Sequence, residues 1–315
     1  MSSNNPGGIL AAVKNAFIAS DGRLRACWQM AISMLAWYAL TFISVFFGAN
    51  AFIRLLAAWG VTSKNLHLTP GWVQYLVSYQ ASLYHLATLI AAIIAGGLLM
   101  RRLKSPRKGA IHTGASMLLG FFISIIIAIG LTLIFMLTDS LRPYTDGGSI
   151  SIHMLIALIL CAATALAEAL MAFGYLRSMA AARGNRLAGY AAAVVMFFAM
   201  DNFSASGFIG TLNVILMGIT LCWVAEKFGI APVIGLRTGW LWATTSLTSF
   251  SGSDVALMRL YPVSETQLTG GSSGLASGFM VTFICGALIW FTLLKPIFAE
   301  LSRRRKQAKQ QNTQK

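Results

Sequence analysis

Apolar residues along this chain are gathered into long runs with few polar interruptions, and a helix needs about 20 of them to cross the hydrocarbon core of a bilayer. Eight runs approach or exceed that length, at approximately 27–48, 78–100, 113–137, 151–174, 187–201, 208–225, 231–248 and 276–297. The pattern predicts an all-α fold: a polytopic integral membrane protein of about eight transmembrane helices. The fifth and sixth runs are short and flanked by polar residues. Residues 49–77 and 249–275 form the longest connections, and neither is a soluble domain. The second, rich in Gly and Ser, reads as a re-entrant segment or a cap outside the membrane. No internal repeat is visible, so the pattern lends no support to an inverted-repeat transporter.

Composition agrees, with 57% hydrophobic against 10% charged residues in 315 positions and a mean hydropathy of +0.71, far outside the soluble globular range. The 24 Lys and Arg against 9 Asp and Glu raise the thought of nucleic acid. They stand, however, in short clusters between apolar runs, where they orient helices instead of forming one patch. With a cytoplasmic N-terminus, 19 basic residues fall inside and 5 outside, namely Arg54, Lys64, Arg142, Arg237 and Arg259. That satisfies the positive-inside rule. The expectation is a multi-pass protein of the cytoplasmic (inner) membrane, both termini cytoplasmic, with the lipid bilayer as partner and no nucleic acid. Ala49-Asn50-Ala51 has the form of a signal cleavage site, but the apolar stretch from Cys27 is longer than a signal h-region and follows a long polar lead, so it reads as a retained helix. Cys27, Cys161, Cys222 and Cys285 all lie in apolar segments without zinc-type spacing and read as buried helix residues.

Ionisable residues inside transmembrane helices are costly and point to function by default. Glu168 lies well inside the fourth run, in A-L-A-E-A-L-M-A-F-G-Y-L; Asp201 and Asn202 close the fifth after V-V-M-F-F-A-M; Arg237 interrupts the seventh in P-V-I-G-L-R-T-G-W-L-W. Each also has a bland reading: Asp201 at the interface, Arg237 snorkelling to a surface, Glu168 neutral and hydrogen-bonded. His85, His112 and His153 are on separate segments, and none has a partner at i+3 or i+4.

The order of these segments is recognisable. E-A-L-M-A-F-G-Y-L, Glu168 to Leu176, resembles the first signature of the CPBP family, the CAAX-protease and bacteriocin-processing intramembrane proteases, written E-E-x-x-x-R-G-x-L. F-F-A-M-D-N from Phe197 is similar to the second, F-x-x-x-H. L-N-V-I-L-M-G-I from Leu212 and I-G-L-R-T-G-W-L-W from Ile234 resemble the family's Gly-containing helix and its third signature, G-L-H-x-x-W-N. L-T-G-G-S-S-G-L, Leu268 to Leu275, is similar to a Gly-rich turn before the last span of bacterial members, and R-R-L-K-S-P-R-K upstream to a basic loop before an apolar span. The resemblance covers most of the chain. It implies a CPBP-like helical bundle, divided into a cytoplasmic segment 1–26, N-terminal transmembrane helices 27–137, a CPBP-like core 138–297 and a basic cytoplasmic tail 298–315.

The departures fall on the residues that do the chemistry. In the family a Glu pair and two His, with an Asn or Asp, activate and hold a water, usually described as metal-assisted. Glu168 is the only retained motif acid: the second Glu position is Ala169 and the motif Arg is Phe173. The second-signature His maps to Asp201, or to Asn202 with a slip of one; the third-signature His maps to Arg237 and its Asn to Leu241. Gly174, Leu176, Gly235, Leu236 and Trp240 keep the scaffold. Peptide hydrolysis needs a base for water and a metal or donors for the oxyanion. Glu168 would serve as a base, but Arg237 stays protonated and cannot ligate a metal, so no cofactor is expected. Three readings stay open: a non-catalytic member of this fold that binds a lipid-like ligand, a membrane-embedded peptide or a partner helix; an active intramembrane endopeptidase with an altered site; and a small transporter. The sharpest expectation is that Arg237 bridges Glu168 and Asp201 in place of the lost ligands, since a planar guanidinium suits two oxygen acceptors.

Overall fold

The computed structural model describes residues 26–61, 113–144, 152–183, 185–201, 207–249, 256–263, 268–270 and 274–295. The run at 78–100, the basic tail, His85, His112 and Asn202 lie outside these. What is described is mostly helical. Three helical stretches are long and apolar enough to cross a membrane, Gly114–Leu137, Met154–Ala182 and Gly207–Phe228, with shorter apolar ones at Met34–Ile43, Arg186–Met200 and Phe279–Leu293.

Helix α1 (Ala26–Ala58) continues well past the expected end at residue 48. The small residues there do not break a helix, and Asn50 stays within it by donating Nδ2 to the Phe46 carbonyl at 2.7 Å. The helix ends at Gly60, whose φ of +73° suits glycine. The Gly60 amide bonds the Ala57 carbonyl and the Val61 amide the Leu56 carbonyl, the paired closure of a Schellman end. Ala49-Asn50-Ala51 therefore sits inside one continuous helix.

The fourth run also extends further than expected. Helix α3 (Ile152–Glu168) passes into a π-helical stretch, Ala169–Leu176, and then into α4 (Arg177–Arg183) without a break. Polar side chains gather on its carbonyls. Arg177 Nε donates to Phe173 O at 2.9 Å, and Ser178 Oγ donates to Tyr175 O at 3.0 Å and to Gly174 O. After these come α5 (Arg186–Met200), α6 (Gly207–Phe228), α7 (Ile230–Trp242) and α8 (Phe279–Ile289). Further π-helical stretches follow α7 at Ala243–Leu247 and α8 at Trp290–Leu294.

The chain separates into two compact units, residues 1–112 with 158–196 and residues 113–157 with 197–315. In the first, α1 packs on α4, and the π-helical stretch is buried almost throughout, with Met171, Ala172, Phe173 and Leu176 fully enclosed. Trp37 and Thr41, one turn apart on α1, are both buried, and neither Trp37 Nε1 nor Thr41 Oγ1 has a hydrogen-bond partner among the described residues.

The second unit is built on α2 (Thr113–Leu137) packed along α7. Its core joins Leu131 and Phe135 to Leu141, Trp240, Leu260 and Leu275. A three-stranded sheet covers one end, in the order β1 (Leu141–Pro143), β3 (Met258–Pro262), β2 (Thr248–Ser249). β1 runs antiparallel to β3 with Arg142 opposite Tyr261, and β2 runs parallel to it. Leu141 and Leu260 point into the core while Arg142 and Tyr261 face out, the two-residue alternation of a half-buried sheet. A helical chain thus carries a small sheet that apolar run lengths do not announce. Part of the Gly- and Ser-rich connection 249–275 is folded into this core.

Candidate functional site

The position of Arg237 follows from the glycines on either side of it. Gly235 and Gly239 are one turn apart and face α2 at backbone contact: a Cβ on Gly235 would overlap the Met117 carbonyl oxygen, and one on Gly239 the Phe121 carbonyl and Ser124 Oγ. From the other side, a Cβ on Gly120 would come within 2.6 Å of the Pro232 carbonyl. Small residues four apart let two apolar helices approach this closely. At about 100° per residue, Arg237 lies roughly opposite that seam, so α7 turns it away from α2 and towards α6 and the end of α5.

There it is met on several sides. Asp201, held just past the end of α5 by its amide bond to Phe197 O at 2.9 Å, accepts a hydrogen bond from Arg237 Nη2 through Oδ1. Nη1 donates to Met217 Sδ at 3.6 Å. The guanidinium carbon stands 4.9 Å from the Phe197 ring centroid, in cation–π range. Arg237 is 6% exposed and Asp201 15%, so the pair is largely withdrawn from solvent. The expected Arg237–Asp201 contact is present.

Glu168 closes α3 at the threshold of the π-helical stretch and is 2% exposed. It belongs to the first unit, whereas Asp201 and Arg237 belong to the second. Ala169 and Phe173 are fully buried in the π-helical stretch. Trp240 is in the core of the second unit, and Leu241 follows it on α7. His153 falls in α3. Among the described residues no three His, Cys, Asp or Glu side chains come together as a metal would require. Asp201 and Arg237 together offer one carboxylate already bonded to a guanidinium, which does not fit a divalent ion.

Beside Arg237 lies a cavity of about 100 Å³, walled by α2, α6, α7 and α8. Its lining is aliphatic and aromatic apart from Arg237, Ser124, Thr220 and Cys285. The two hydroxyls donate to carbonyls of their own helices, Ser124 to Phe121 O and Thr220 to Leu216 O, both at 2.9 Å. Cys222 and Cys285 are buried, outside any disulfide, and Cys161 is half-buried.

Asn213 is a structural anchor that motif reading passed over. It is 1% exposed; its Nδ2 donates to the Ala276 and Gly278 carbonyls, each at 2.9 Å, and its Oδ1 accepts from Thr282 Oγ1 at 2.5 Å. One amide thereby ties α6 to the 3₁₀ turn Leu275–Ser277 and to the first turn of α8. The available signal was an Asn within an apolar run; the glycines four apart in G-L-R-T-G were a second signal, for the α2–α7 seam, that motif reading also passed over.

No family model matches the chain, and neither a curated protein nor a solved structure matches it.

Proposed function

We propose that this chain is a multi-pass protein of the cytoplasmic membrane, with about eight spans and both termini inside. On this reading its CPBP-like bundle has lost peptide hydrolysis and acts by binding an apolar ligand of the membrane. The observation that carries this is the Arg237–Asp201 ion pair. Arg237 and Asp201 occupy the positions at which the resemblance expects two His, and each satisfies the other. A cation that cannot deprotonate leaves no opening there for a metal-bound water. A carboxylate that takes up and releases a proton would speak for a transporter; a fixed ion pair speaks for an inert scaffold.

The second reading, an active endopeptidase with an altered site, draws on Glu168. It is buried at the start of a π-helical stretch, a departure from α geometry that is frequent at functional sites. Proteolysis by the purified full chain against membrane-embedded substrates, beside Glu168→Gln, separates the two. Cleavage by neither protein is expected. Cleavage by the parent that disappears in Glu168→Gln overturns the proposal.

A further inference from the structure

The cavity beside Arg237 has the size, the lining and the mouth of a slot for hydrocarbon. Size comes first. About 100 Å³ is the scale of the apolar cavity of about 150 Å³ that stays dry and admits benzene. It is far too narrow for a helix, which is about 10 Å across. A few carbons of a chain fit; a transmembrane segment does not.

The lining decides the chemistry of the occupant. Arg237 is the one charged residue of the wall, and its charge is met by Asp201 and covered by the Phe197 ring. An anionic headgroup entering here would have to displace a carboxylate already in place. The hydroxyls of Ser124 and Thr220 are directed to their own backbones. What remains is apolar contact with Ile127, Leu131, Met217, Leu221, Trp240 and Ile284.

The mouth identifies the source. Leu288 lines the cavity and is itself 42% exposed, so the cavity reaches the surface along α8. Nearby Phe291, also on that stretch, is 62% exposed. An apolar helix surface of a membrane protein faces lipid tails. Towards the start of α8 the lining residue is Val281, 4% exposed, next to Thr282, through which Asn213 fastens the first turn of α8 to α6.

We infer that this cavity takes the end of one acyl chain from a bilayer phospholipid, inserted tail first past Leu288 while the headgroup stays outside. The inference rests on the proposed reading of the chain as a membrane ligand-binding protein and names the ligand class.

The test uses the full chain in nanodiscs of phosphatidylcholine carrying a diazirine at the acyl terminus. A second sample carries the matching free fatty acid. Photolysis should attach the phospholipid to peptides containing Met217–Leu221 and Val281–Leu288. Ile284→Phe, which fills the slot, should lower that labelling about tenfold, the effect of an overpacking cost of ordinary size. Phe283→Ala, on a side chain 73% exposed, should leave it unchanged. If Ile284→Phe does not fold, Leu288→Trp at the mouth should give the same loss. Equal labelling of parent and both filling variants overturns the inference. So does labelling by the free fatty acid in place of the phospholipid, since that assigns Arg237 to a carboxylate headgroup. These outcomes are independent of the proteolysis assay, in which Glu168-dependent cleavage would overturn the underlying reading instead.

Discussion

Arg237 on α7 and Asp201 just past the end of α5, 36 positions apart, are joined in an ion pair. Breaking such a pair strands a charge that is largely withdrawn from water. Arg237→Ala should therefore destabilise the protein by about 3–5 kcal/mol. The double change Arg237→Met with Asp201→Asn strands nothing and should be milder than Arg237→Ala alone. Thermal unfolding of the three proteins in one detergent makes the comparison. A single variant as stable as its parent would show that the pair contributes nothing.

The seam between α2 and α7 makes a second prediction. Gly235→Ala sets a methyl against the Met117 carbonyl, which is backbone and cannot swing aside. A loss of about 1–3 kcal/mol is expected. Gly286→Ala is the control: open space surrounds its Cβ position, and alanine's better helix propensity should make the change neutral or stabilising by up to about 1 kcal/mol. Unfolding midpoints of the two variants should move in opposite directions, or at least by clearly different amounts.

Asn213→Leu should remove three hydrogen bonds at once and leave the Ala276 and Gly278 carbonyls and the Thr282 hydroxyl without that partner. Each buried group left unsatisfied costs about 1–3 kcal/mol. Hydrogen exchange should quicken in residues 275–282, the turn and helix start that Asn213 holds. Exchange there at the parental rate would mean the clamp is dispensable.

Thr41→Val offers a gain. The buried Thr41 hydroxyl has no partner among the described residues, so a shape-matched apolar side chain relieves its desolvation penalty. A stabilisation of about 1 kcal/mol is expected, read as a higher unfolding temperature. A fall would reveal a partner for the hydroxyl, such as a bound water.

Topology is open to a direct check. The inside bias of the basic residues predicts a cytoplasmic C-terminus. A C-terminal alkaline phosphatase fusion should be inactive, and an active one would remove a span from the count or reverse the orientation.

Much of the helical content was legible in run length, as Thr113–Leu137 and Gly207–Phe228 illustrate. Helix ends were less so. Gly48 and Ala49 look like a boundary, yet only a residue with positive φ, Gly60, supplies the turn that ends α1. The π-helical stretches left no mark in periodicity, because they shift hydrogen-bond register without changing which residue types are apolar. β2 and β3 were hidden for another reason. Two and five residues are too few for alternation to show against a Gly- and Ser-rich background. In the site, charge alone made Arg237 and Asp201 conspicuous. Phe197 and Met217, which also contact the guanidinium, look in sequence like any other apolar helix residues.

The backbone-to-backbone seam of α2 and α7 also limits how the cavity can open. Two helices touching through glycines and carbonyls have no room to close further, and any shift of one past the other would set backbone against backbone. Arg237 stands on α7. On the other side, α8 is clamped to α6 at its first turn by Asn213 and Thr282, and Leu288 lies about 9 Å further along at the helical rise. A guest entering beside Leu288 would therefore meet less resistance there than at the clamped first turn of α8.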